Sequence, residues 1–130
     1  MKYRMPCITT DSGRSTVRPD ERNDCVVRAL CNGTGVPYAE AHEFIRVYGN
    51  RIDGHGAYEA YYGRLFDKVF RPVSIGAGMT IAQFSAIYSG AFVVIVSGHI
   101  FVTVNGMVLD TFPVGKSRKI EKVWEILTFT

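Results

Sequence analysis

The chain has 130 residues, 47% of them hydrophobic and 21% charged, with a net charge of +3. That is the composition of one globular domain, residues 1–130, able to bury a core without crosslinks, and it excludes a disordered chain. The weak positive charge, without a dense stripe of Lys and Arg, argues against nucleic acid as the partner. The longest apolar run, Ala91-Phe92-Val93-Val94-Ile95-Val96, is too short for a membrane span, and Met1 to Cys7 lacks the apolar centre of a signal peptide. Three cysteines, an odd number with no export signal, read as reduced thiols in a cytoplasm.

Residues 1–22 form a polar N-terminal arm carrying Lys2, Arg4, Arg14, Arg18 and Arg22, with at most a short strand near Tyr3–Thr9. Asp24 or Asn23 is placed to cap a helix starting at Cys25, because either side chain accepts a bond from the orphan amides of a first turn. Val26, Val27, Ala29 and Leu30 supply its apolar side, and Asn32-Gly33 and Gly35 end it. Pro37 suits the first turn of a second helix, whose face is Tyr38, Ala41, Phe44, Ile45 and Tyr48 and whose end is Gly49. Ala57 to Phe66 reads as a third helix, and Thr80 as the cap of a short one carrying Ile81, Phe84, Ile87 and Tyr88.

From Ala91 the period changes to two. Ala91–Ser97 and His99–Val104 are strands, and Asn105-Gly106 is a strong hairpin signal because a type I′ turn needs positive φ at both central positions. Met107–Phe112 returns alongside, and Val123–Phe129 is a last strand, with Trp124, Ile126 and Thr128 on one side of it. N-terminal helices packed on a C-terminal antiparallel sheet make the chain α+β.

A thiol is a useful nucleophile at neutral pH only when its pKa is lowered, commonly by a helix N-terminus and a neighbouring imidazole. Cys25 offers the first and His99 the second. Pairing across the hairpin puts Val104 opposite Met107, Phe101 opposite Asp110 and His99 opposite Phe112. His99 and Asp110 then share a face as diagonal neighbours, close enough for a carboxylate to orient an imidazole. The three residues have the chemistry of nucleophile, base and orienter.

This order, a cysteine opening the first helix, several helices, then a histidine leading one strand and an Asp on the next, resembles the papain-like cysteine peptidases. The likeness is greatest to small bacteriocin-processing and phage-encoded members, and the string Asn23-Asp24-Cys25-x-x-Arg28-Ala29-Leu30 is similar to short phage proteins of that fold. The same string is more loosely similar to the nucleophile segment of ovarian-tumour-type deubiquitinases. The resemblance runs in element order from Arg22 to Phe129, with about a dozen residues matching at motif level. It implies a papain-like fold, a peptidase acting on a peptide or isopeptide bond of a protein or peptide substrate, and no cofactor. It assigns Cys25, His99 and Asp110 to the catalytic positions. The family places a Gln several residues before the cysteine to help hold the oxyanion. Here Pro19 stands in that place, and Asn23 or the Cys25 amide is the substitute donor. A phage or bacterial origin would put the protein in a bacterial cytoplasm or a virion.

Each of these residues also has a plainer reading: a helix cysteine is commonly a small buried hydrophobe and a strand histidine commonly structural. The rival from another class is a catalytically inactive, virion-associated or binding protein of the same fold. It would grip a protein partner through Tyr58, Tyr61, Tyr62 and Arg64, aromatic and Arg residues of the kind that dominate interfaces. Core packing is the equal alternative for these tyrosines. Cys31 reads as core, Cys7 as incidental, His42 as solvated or half-buried, and His55 as a turn residue or one near the cleft. The Cys25, Cys31, His42, His55 set lacks zinc spacing, so no metal is expected. Arg28 reads as a structural ion pair. Gly76 to Thr80 is a connection, and Lys116, Arg118, Lys119 and Lys122 a solvated loop.

Overall fold

The computed structural model describes residues 7–18, 20–57, 59–111 and 114–127. The elements run β1 (Cys7–Thr9), α1 (Arg14–Val17), α2 (Cys25–Thr34), α3 (Tyr38–Tyr48), α4 (Glu59–Val69), β2 (Arg71–Val73), α5 (Ile81–Ile87), β3 (Ala91–Val96), β4 (His99–Val104), β5 (Met107–Asp110) and β6 (Ile120–Glu125). The class is α+β, with most of the helical part ahead of most of the sheet. Among the described residues no helix is long and apolar enough to cross a membrane.

Helix α2 buries Val26, Val27, Ala29 and Leu30, and also Arg28. It continues through Asn32 and Gly33, where a stop was expected, and ends at Gly35 with φ 79°. Gly33 is in the helix for a packing reason: a Cβ there would lie 2.9 Å from Cζ of Phe70, so only a glycine lets that ring lie on the backbone. Helix α3 buries Tyr38, Ala41 and Ile45 as its spacing requires. Tyr48, expected on that face, is 65% exposed and packs on Phe44 at the helix end instead. Helix α4 runs three residues past the expected Phe66. Its Tyr62, Phe66 and then Phe70 meet edge to face, with Trp124 against Phe66.

The sheet has six strands in the order β1-β5-β4-β3-β6-β2. Its ladders are antiparallel except for β1, which runs parallel to β5 and makes the sheet mixed rather than wholly antiparallel. Residues 7–18 and 20–22 are therefore part of the fold and not merely a polar arm. The edge strand β2 contains Pro72, which an edge tolerates and a central strand does not. Strand β3 is central, with Val93 and Ile95 in one core cluster and Phe92, Val94 and Val96 in the other. Burial on both faces explains its unbroken apolar run. Helices α2, α3 and α4 supply the first cluster and α5 the second.

The turn between β4 and β5 has φ 49° at Asn105 and 80° at Gly106, and Val104 pairs with Met107 as its chemistry dictates. Helix α5 begins with a full capping box between Thr80 and Gln83. Strand β6 starts at Ile120, earlier than the expected Val123. Tyr3, Pro19, Tyr58, Phe112 and the stretch 128–130 lie outside the described residues.

Candidate active site

Cys25 is the first residue of α2 and is half-buried. Asp24 takes the N-cap position but makes no side-chain capping bond, contrary to the local expectation. Its carboxylate is fully buried and turned to other partners: Arg28 Nε at 3.0 Å, Arg14 Nη1 at 3.1 Å and the Tyr38 hydroxyl at 2.7 Å. Three strong charged or phenolic donors outcompete a helix amide for one carboxylate. Asn23 does not cap either. It has φ 55°, and its amide nitrogen donates to the Gly54 carbonyl at 3.0 Å.

His99 opens β4 and its ring stacks on that of Phe101. Its Nε2 is hydrogen-bonded to Asp110 Oδ2. The imidazole also interacts with the Cys25 thiol. The thiol takes a further hydrogen bond from the Ile100 backbone amide. Asp110, fully buried, accepts from the Thr111 amide at 2.7 Å and from Arg28 Nη1. The three residues singled out in the sequence thus form one continuous chain of hydrogen bonds.

The electrostatics follow from these contacts. Burial pushes the Cys25 thiol up, but the His99 and Ile100 hydrogen bonds and the positive charges of His99 and Arg28 outweigh it, leaving the thiol below its ordinary value. Burial pushes His99 down, and the bonds to Asp110 and Cys25 more than reverse this, to about 9. Burial raises Asp110, and its bonds to His99, Thr111 and Arg28 hold it below the usual carboxylate range. A thiol held below its ordinary value therefore lies beside an imidazole that stays protonated at neutral pH. Cys31 makes the contrast: burial raises its thiol, which donates to the Val36 carbonyl at 3.0 Å.

A second polar network escaped sequence reasoning. His42, expected solvated or half-buried, is 1% exposed and bonded to Glu21 Oε2 at 2.6 Å. Glu21 also receives Arg51 Nη1 at 3.1 Å and the Gly54 amide at 2.6 Å. Glu21, His42 and Asp53 bring ligand atoms within 4.8 Å of one another, the only such group among the described residues. The Arg51 charge and the Gly54 amide already satisfy Glu21, so the donor set does not call for a cation. No local pattern announced this network, because its members are far apart in sequence.

The aromatic-basic patch is corrected in part. Tyr62 is 6% exposed and belongs to the core, while Arg64 is exposed; Tyr58 and the Tyr61 side chain lie outside the described residues. His55 is exposed in a turn, its amide donating to the Ile52 carbonyl at 3.0 Å. In the loop before β6, Arg118 donates to the Ser97 carbonyl; Lys122, expected in that loop, is in β6 and lies over the Trp124 ring. A scan against family models and searches of the curated proteins and the solved structures find no match to this chain, so a functional reading rests on this geometry.

Proposed function

We propose that the chain is a cysteine peptidase of the papain-like kind, cleaving a peptide or isopeptide bond, in a phage or a bacterium. One observation carries the reading: the Cys25 thiol at a helix start is bonded to His99, and His99 Nε2 to the buried Asp110. A structural cysteine has no use for an imidazole fixed by a carboxylate.

In this reading the Cys25 thiolate attacks the carbonyl carbon and the oxygen takes the negative charge. The Cys25 backbone amide, at the uncapped start of α2, donates to that oxygen, with the remaining amide proton of Asn23 as a second donor. The imidazolium of His99 gives its proton to the leaving nitrogen as the C–N bond breaks, leaving a thioester on Cys25. Water then attacks the thioester, His99 takes its proton, and the thiolate leaves and recovers its imidazolium partner. Asp110 holds the ring in place throughout. The burial of Tyr62 removes one anchor from the binding-protein alternative.

The test is selective alkylation. At pH 6 iodoacetamide should modify Cys25 at least tenfold faster than Cys31, and a His99→Ala variant should lose most of that advantage. Cys25→Ala should end turnover of fluorogenic peptide amides while leaving the far-UV spectrum unchanged. Equal labelling of Cys25 and Cys31 at pH 6 would remove the activated thiol and the peptidase reading with it.

A further inference from the structure

The site does not end at Asp110. Arg28, one turn after Cys25 on α2, is 7% exposed and bonds to two carboxylates at once. Its Nη1 donates to Asp110 Oδ1 and its Nε to Asp24 Oδ1 at 3.0 Å. Asp24 is in turn held by Arg14 Nη1 at 3.1 Å and by the Tyr38 hydroxyl at 2.7 Å. Charge alternates along the path Arg14, Asp24, Arg28, Asp110, His99, Cys25, with the two carboxylates and Arg28 almost wholly inside the protein.

A buried carboxylate with a single histidine partner has an escape: it takes the proton and both groups become neutral. That escape would discharge His99 and with it the thiolate. A guanidinium cannot supply a proton at neutral pH, so a carboxylate bonded to it stays ionised. A guanidinium fork also fixes direction, because its Nη1 and Nε bonds are made in one plane. Asp110 therefore presents Oδ1 to Arg28 and Oδ2 to His99, and cannot rotate without breaking the first bond.

Accepting the cysteine-nucleophile reading above, we infer that Arg28 is a positioning residue of this site, clamped by Asp24 so that Asp110 stays charged and aimed at His99. Arg28 does not touch the thiol or a substrate. Besides the smaller direct effect of its charge on the thiol, it acts through Asp110, and Asp24, the residue that looked like a helix cap, is its anchor. The charged and titratable groups facing the site are Arg28 and Asp24 from α2, Arg14 from α1, Tyr38 from α3 and Tyr62 from α4, beside His99 and Asp110 themselves. Both tyrosines are held neutral across the working range, chiefly by burial. Among the described residues, Arg28 is the permanent cation bonded to Asp110.

The experiment is the pH profile of Cys25 alkylation by iodoacetamide, read by mass spectrometry of the Cys25 peptide. Arg28→Met should move the acid limb of that profile upward by about one pH unit, a roughly tenfold slower reaction at pH 5.5. Arg28→Lys should restore the greater part of the shift by returning the charge. A folded Arg28→Met protein with the wild-type profile overturns the inference, since lost stability alone does not move a thiol's titration in the molecules that remain folded. If Arg28→Met does not fold, the carboxyl carbon of Asp110 is followed by NMR in His99→Gln, where Arg28 is intact. Asp110 titrating below the ordinary carboxylate range supports the clamp, and titration within or above that range overturns it. Failure of the parent reading looks different: wild-type Cys25 would itself alkylate like an ordinary thiol, whatever Arg28 does.

Discussion

Replacing Glu21 by Gln probes the buried network that holds the chain just before Cys25. Glu21 keeps 3% of its side chain exposed and is bonded to Arg51 at 3.1 Å, His42 at 2.6 Å and the Gly54 amide at 2.6 Å. Burial raises its carboxyl, and the bonds from Arg51, His42 and the Arg22 amide overcome this and hold it at about 2. An unfolded glutamate titrates near ~4.3, so the gap is roughly two units, or about 3 kcal/mol. The folded value is the lower one. The stabilisation is therefore complete above about pH 4.5 and is lost as the pH falls through about 2. Glutamine keeps the shape but leaves the buried Arg51 without its counter-ion, a kind of loss that costs ~3–5 kcal/mol. The two routes agree on a destabilisation of about 3 kcal/mol at pH 7, shrinking steadily below about pH 4. Urea unfolding of both proteins between pH 7 and pH 2.5, followed by Trp124 fluorescence and far-UV dichroism at constant ionic strength, measures it. A difference under ~1 kcal/mol at pH 7, or one that stays constant to pH 3, would refute the reasoning.

Two further outcomes follow from other contacts. Gly33→Ala should lower stability by ~1–3 kcal/mol despite the better helix propensity of alanine, because its methyl meets the buried Phe70 ring; a raised melting temperature would contradict the contact. His99, at about 9 in the fold against ~6.5 unfolded, lends stability that is complete below pH 6.5 and lost as the pH rises through 9. His99→Gln should therefore be most destabilising near pH 6 and nearly silent near pH 10, and a difference that is flat over that range in chemical denaturation would count against it.

Local chemistry was readable from the residues themselves. Asn105-Gly106 fixed the hairpin register, and the same period-two count brought His99 and Asp110 into one hydrogen bond. Thr80 and Gly35 each marked a helix end, because capping is decided within a few residues. What escaped depends on distant partners. The short strand expected near Tyr3–Thr9 is β1, but its parallel pairing with β5 was not legible, because three residues carry no periodic signal of their own. Asp24 obeyed every local rule for a cap and was drawn away by Arg14, Arg28 and Tyr38. His42 looked polar enough for solvent until Glu21 provided a buried partner. Tyr62 belonged to the core because Phe66 and Trp124 continue its aromatic stack.

The hydrogen bond from Arg28 to Asp110 spans 82 residues of sequence. Cys25 therefore emerges during synthesis well before His99, and before the carboxylate that orients it. Helix α2 can form early from local contacts, but the thiol meets His99 only after the β4–β5 hairpin has closed and docked, the slow, non-local part of folding. A nascent or misfolded chain carries an ordinary thiol, mostly protonated at neutral pH. Under the proposed peptidase function, chain order works as a safety catch: reactivity arrives last, as a property of the completed sheet.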